Sequence, residues 1–197
     1  MNLPAILGLV IVSMVVGGAV TAIGYYTPFM LVSSVLMSIG AGLLTTFEVD
    51  TNHSKWIGYQ FIFGAGVGAG MQQVLVAVQA ALPKKDVPIG TAIMMFSQTL
   101  GGALFISVAQ NVFTNQLLKN LRTVVPDLNP SLVLTVGATE LKNAIEEKFL
   151  GGVIVAYNQS LTQTFYVSVA AAAVSIFGAA FVEWRSMKGK EIAMAAA

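Results

Sequence analysis

WIGYQFIFGAGVGAGMQQVLVAVQAALP, residues 56–83, decides the fold: 28 residues pass without a charged side chain. A helix crossing the roughly 30 Å hydrocarbon core of a bilayer needs about 20 predominantly apolar residues, so this stretch is long enough to span. Its polar content is four amides, Gln60, Gln72, Gln73 and Gln79, and no ion. A polar run from Glu48 to Lys55 precedes it, and Lys84, Lys85 and Asp86 follow. The same punctuation divides the rest of the chain. Met1 to Phe47 is uncharged, which is room for two spans, and the break falls at Gly24-Tyr25-Tyr26-Thr27-Pro28. Pro28 has no N–H to satisfy and suits a helix start; the tyrosines suit a membrane interface. Val87–Leu118 and Phe149–Val182 are uncharged too. The expected spans are 4–23, 28–46, 56–81, 88–115 and 161–182, within an all-α polytopic membrane fold covering 1–183. An outer loop is expected at 116–160 and a cytoplasmic tail at 184–197.

Composition agrees. Of 197 residues, 56% are hydrophobic and 10% charged, with a mean hydropathy of +0.78. Soluble domains carry about 25% charged residues, and a soluble chain this short keeps too much wet surface to hide so much apolar area. The lipid bilayer is therefore the first partner. A net charge of +1 gives no reason to expect nucleic acid, and without cysteine there is neither a disulfide framework nor a thiolate metal site. The N-terminal apolar stretch lacks a basic n-region and is too long for a signal peptide, so the first helix is read as retained.

The 116–160 segment differs from the spans. Val124–Pro130 carries two prolines and reads as a turn. In Thr139–Leu150, Leu141, Ala144, Ile145, Lys148 and Phe149 fall at helical spacing. Two readings stand open: a short amphipathic helix at the membrane interface, or a solvated loop helix. The basic residues divide evenly between the two sides. Lys84, Lys85, Arg185, Lys188 and Lys190, however, sit in short segments at helix ends, where the positive-inside rule counts most. The C-terminus is therefore expected in the cytoplasm and the first span starts outside. An odd number of spans starting outside is the expectation for a piece of a longer protein. Sequons at Asn52 and Asn158 then lie outside, too close to helix ends for glycosylation to be expected.

Two motifs stand out within the spans. Gly64, Gly66, Gly68 and Gly70 form overlapping small-xxx-small pairs, which let helix backbones approach closely in lipid. Packing is the better reading, and bending during a conformational cycle is the functional one; Gly101–Gly102 invites the same pair. The second motif is the set of amides. Polar groups in hydrocarbon face protein or a wet cavity. On a helical wheel Phe61, Ala65, Gly68, Gln72 and Gln79 share a face, as do Met94, Gln98, Gly101 and Phe105. Faces of aromatic and amide character suit apolar molecules with a few hydrogen-bonding groups, while interhelical bonding explains a single Gln equally well. The candidate substrate-binding residues are Gln72, Gln98, Phe61 and Phe105. No Asp, Glu, Lys, Arg or His lies in an expected span, so no proton relay is visible, and nothing suggests an enzyme, a catalytic residue, a cofactor or a metal site.

The stretches GYYTPFMLVSSVLMSIGAGLL (24–44), FGAGVGAGMQQVLVAVQAALPKKDVPIGTA (63–92) and FSQTLGGALFISVAQNVFTNQL (96–117), with VAYNQSLTQTF (155–165), resemble the major facilitator superfamily. The nearest likeness is to its fourteen-spanner drug:proton antiporters, especially fungal toxin and multidrug efflux pumps. The resemblance implies that the five spans are the last five of fourteen. The third and fourth then line the central cavity, the first is a gating helix, and the second and fifth are supporting helices. It also implies that the N-terminal bundle and the first core helix of the C-terminal bundle are missing. The basic loop motif of the superfamily is absent from its corresponding turn, GGAVTAIGYYTP (17–28), which keeps Gly18 and Gly24 but no charge. By resemblance the function is secondary active efflux of lipophilic drugs, toxins or secondary metabolites. The substrate is a small lipophilic organic molecule, proton coupling belongs only to the full-length protein, and the missing bundle is a partner. The plasma membrane is the expected location, with a vacuolar or vesicle membrane as the alternative. The alternative function is a non-transporting membrane assembly or regulatory subunit.

Overall fold

The computed structural model describes residues 3–136 and 141–184. Five helical stretches among them are long and apolar enough to cross a membrane. They are α1 (Leu3–Ile23), α2 (Thr27–Leu44), the pair α3 (His53–Met71) and α4 (Gln73–Ala81), α5 (Val87–Val124) and α8 (Glu147–Phe181). Two short helices, α6 (Pro130–Thr135) and α7 (Leu141–Ala144), lie between α5 and α8. The tail from residue 185 onward lies outside the described residues.

Packing follows the glycines of α3. A side-chain carbon at Gly64 or Gly68 would collide with the α1 backbone at Ala5 or Leu9. At Gly66 it would lie 2.6 Å from the Met37 nitrogen of α2, and at Gly70 it would strike the Ser33 hydroxyl. The two pairs, each spaced by one helical turn, therefore face opposite neighbours and let α3 sit between α1 and α2 at backbone contact. The fit is reciprocal: Gly8 of α1 abuts Phe61 and Ala65, and Gly40 of α2 abuts Phe63. Here glycine serves packing. Around the Gly101–Gly102 pair of α5 no atom lies within 4 Å of an added side-chain carbon.

Local signals set the helix ends. Gly24 closes α1 at a φ of 80°, a conformation glycine adopts freely, and its N–H reaches the Val20 carbonyl at 2.8 Å. Proline occupies the first turn of α2, α5 and α6. Tyr26 corrects an expectation. Instead of standing at an interface it is 1% exposed, and its hydroxyl donates to the Glu183 carbonyl at 2.8 Å. Thr27 Oγ1 donates to the same carbonyl at 3.4 Å, so two side chains tie the α1–α2 turn to the end of α8.

The segment between the fourth and fifth expected spans is far more helical than the sequence reading expects. α5 continues to Val124 and α8 begins at Glu147, so residues 116–124 and 147–160 are helix within the expected loop. Charge ends a membrane span but not a helix. Leu117 and Leu121, one turn apart, bury against Val153 and Ala156 of α8, while Lys119 and Arg122 point outward. At 1.5 Å per residue, 38 residues reach about 57 Å, well past the hydrocarbon core. The expected helix over 139–150 is likewise corrected. Thr139 and Glu140 lie outside the described residues, α7 stops at Ala144, and Glu146 is extended before α8 starts. Leu141 and Ile145 are 5% and 6% exposed in the same cluster as Leu117 and Val153, so their apolar side meets protein instead of lipid or solvent. Asn120 Nδ2 adds a polar clasp here, donating to Ser160 Oγ at 2.9 Å and Gln163 Oε1 at 3.2 Å. Asn158, the second sequon asparagine, donates from Nδ2 to the Phe47 carbonyl at 2.9 Å, and Ser160 of that sequon is fully buried.

Candidate functional site

Between α2, the α3–α4 junction and α8 lies an open cleft of about 520 Å³, within the size range of small-molecule sites. The pattern of α2 builds one wall. Met30, Ser33 and Met37 recur at the three- and four-residue spacing of one helix face. Met71 enters from the opposite wall, where α3 is interrupted: the Gln72 N–H reaches back only to Gly70 before α4 begins at Gln73. A glycine run and the Ser33 hydroxyl, which donates to the Gly66 carbonyl at 2.7 Å, accompany this break. Three methionines give walls of flexible, polarizable thioethers that re-form around differently shaped apolar molecules.

Polar character in the cleft is sparse. The Ser33 hydroxyl proton is committed to Gly66, and Ser175 Oγ donates to the Ala172 carbonyl at 2.7 Å. Gln98 of α5 supplies an exposed amide that carries both donors and an acceptor. Among the described residues, no group of three His, Cys, Asp or Glu is placed to hold a metal ion.

The four residues singled out by sequence do not converge. Gln98 lines the cleft. Gln72 is exposed at the helix break, next to Met71 of the cleft wall but outside the lining. Phe61 is 39% exposed and lies beside Gly8 of α1, its ring carbon Cδ2 3.3 Å from the side-chain carbon a residue there would carry. Eleven residues separate it from Gln72, about 16 Å along the helix. Phe105 is 54% exposed on the unpartnered middle of α5.

The structure instead buries different amides. Gln73 is 2% exposed and Gln60 9%, and the side-chain oxygens of both, and of Gln79, find no hydrogen-bond partner. Gln73 shares a helix face with Ala69, Val76 and Ala80, all buried, a three- and four-residue pattern that marks it as inward. Asn120 carries no signal of its own in the sequence, because it stands between the charged Lys119 and Arg122 in the expected loop.

No protein-family model and no solved structure matches the chain. Curated relatives do. The MFS-type efflux pump MFS1 of Arthroderma benhamiae is 60% identical over 100% of this chain and 37% of its own length. The MFS acetylaranotin efflux transporter of Aspergillus terreus is 51% identical over 91% of the chain and 40% of its own. The aspyridones efflux protein of Neocamarosporium betae is 47% identical over 96% of the chain and 34% of its own. The chain thus spans between a third and two fifths of the length of these curated relatives.

Proposed function

We infer the role of this chain from its family: it belongs to the major facilitator superfamily and corresponds to the C-terminal part of an efflux transporter. In a full-length protein, it contributes to the substrate path for small lipophilic organic molecules of the drug, toxin or secondary-metabolite kind. The relatives named for acetylaranotin and aspyridones support that substrate class. Transport proceeds by alternating access, two bundles rocking about a site near the midplane. Proton coupling falls to acids outside this segment, because the apolar stretches 3–47, 56–83, 87–118 and 149–182 carry no carboxylate, lysine or histidine. The plasma membrane is the proposed location.

The observation that carries the reading is the methionine-lined cleft with the Gln98 amide at its edge. Apolar, deformable walls accept many shapes, and one amide orients them. Gln72, Phe61 and Phe105 belong to the proposal as residues that a second bundle brings toward the path. The test is Gln98→Ala and Gln72→Ala in a full-length pump carrying this segment, with resistance measured across unrelated compounds and normalised to surface protein. Loss of a neutral hydrogen bond, about 0.5–1.5 kcal/mol, gives a several-fold, compound-dependent shift in preference. A uniform loss that tracks protein level would assign both amides to helix packing instead.

A further inference from the structure

A second cleft, about 610 Å³, opens on the other half of α3, between α1, the end of α2 and α8. Its walls are apolar: Leu9, Phe63, Val67, Leu161 and Phe165 meet there. One polar side chain joins them. Gln60 lines the cleft, is more than nine-tenths buried, and its Oε1 has no hydrogen-bond partner. A buried carbonyl oxygen left unpaired in an apolar setting is costly, and native structures rarely leave one so. Nothing on the neighbouring walls supplies the missing donor. The oxygen is itself enclosed, so the amide must turn about its last torsion before that acceptor can meet an O–H or N–H in the cleft.

We propose that this cleft binds a lipophilic molecule presenting a single hydrogen-bond donor, such as a hydroxyl, to Gln60. The volume suits a small organic molecule. The walls take its hydrocarbon body, and the amide selects the donor and sets its depth. The site shares Val67 with the Gln98 cleft and has its other lining residues to itself. It is read on the isolated chain and does not depend on the transport reading.

The test uses the purified chain in phosphatidylcholine nanodiscs with two matched photoreactive probes. One is a diazirine-bearing octadecanol and the other its methyl ether, which cannot donate. Mass spectrometry locates the adducts. At equal bilayer concentration the alcohol labels the peptides holding Phe63, Val67, Leu161 and Phe165 about two- to tenfold more than the ether, as expected for one neutral hydrogen bond. In Gln60→Leu the preference vanishes while ether labelling stays. Leu161→Trp, at an exposed position on the rim, lowers labelling by both probes, and circular dichroism confirms that each variant remains folded. Cholesterol in the bilayer and menthol added from water serve as competitors. Competition by cholesterol marks a resident membrane alcohol as the source, and competition by menthol marks a compound arriving from solution. Equal labelling in the native chain, a preference that survives Gln60→Leu, or failure of both competitors overturns the proposal.

Discussion

The sharpest quantitative consequence concerns one substitution made at two glycines. At Gly66 an added methyl carbon falls 2.6 Å from the Met37 nitrogen, 2.9 Å from its Cγ and 3.0 Å from the Leu36 carbonyl carbon. The nearest of these is backbone, so a rotamer change does not relieve it, and α2 and α3 must separate by some tenths of an ångström. A radial gap of 0.5–1 Å forfeits about a quarter to a half of each dispersion contact along the seam, and overpacking of this kind costs about 1–3 kcal/mol. The Ser33 hydroxyl bond to the Gly66 carbonyl lies on the same seam and lengthens with it. At Gly101 an added methyl meets nothing within 4 Å. Both glycines are helical, so the intrinsic preference of Ala over Gly, roughly 0.5–1 kcal/mol, is common to both and cancels in the comparison. Gly66→Ala is therefore expected to be less stable than Gly101→Ala by about 1–3 kcal/mol, at least a fivefold change in the folded ratio. The assay is reversible unfolding of the purified chain in mixed micelles, followed by circular dichroism and tryptophan fluorescence. Equal stability of the two variants, or a more stable Gly66→Ala, would refute the reading of the glycine run as a packing seam.

Two further outcomes test other parts of the account. Cysteines placed at Ser54 and Ser131, both exposed, are expected to react with an impermeant thiol reagent in intact cells; reaction only after permeabilisation would invert the topology. Gln73→Leu is expected to leave the chain as stable or raise its stability by up to about 1 kcal/mol in the same unfolding assay, because an apolar group of similar shape replaces a buried oxygen that has no partner; a loss of 2 kcal/mol or more by this order-of-magnitude scale would mean that the oxygen is satisfied.

Much of this structure is legible from charge and glycine alone. The charged clusters Glu48–Lys55 and Lys84–Asp86 coincide with the breaks between α2 and α3 and between α4 and α5, as expected where ions avoid hydrocarbon. The GAGVGAG run announces close helix contact, though only the three-dimensional arrangement shows that Gly64 and Gly68 serve α1 while Gly66 and Gly70 serve α2. What stayed hidden has physical causes. Lys119 and Arg122 stop a membrane span, yet Leu117 and Leu121 carry the helix onward because their partners, Val153 and Ala156, lie more than thirty residues away in sequence. The candidate site was only partly legible. An amide reads the same in sequence whether it points inward or outward, so Gln72 and Gln73, adjacent and identical, exchange roles: Gln72 is exposed and Gln73 buried. Phe61 shares a wheel face with Gln72, but it lies beside Gly8 of α1, while Gln72 lies at the helix break. Gln98 stands where an amide meets a cleft because the fold brings this part of α5 to a space also lined by α2 and α8, a juxtaposition no local pattern encodes.

The central claim is that this chain is one part of a transporter and that its own residues furnish a path, not a motor. Its direct test is reconstitution of the purified 197-residue chain into sealed liposomes with an imposed pH gradient and a lipophilic fluorescent cation as cargo. The same measurement on a full-length pump carrying the segment serves as the reference. The account predicts that the isolated chain leaves cargo distribution at the protein-free level while the full-length pump moves it. Gradient-driven accumulation by the isolated chain, abolished by collapsing the gradient, would contradict it.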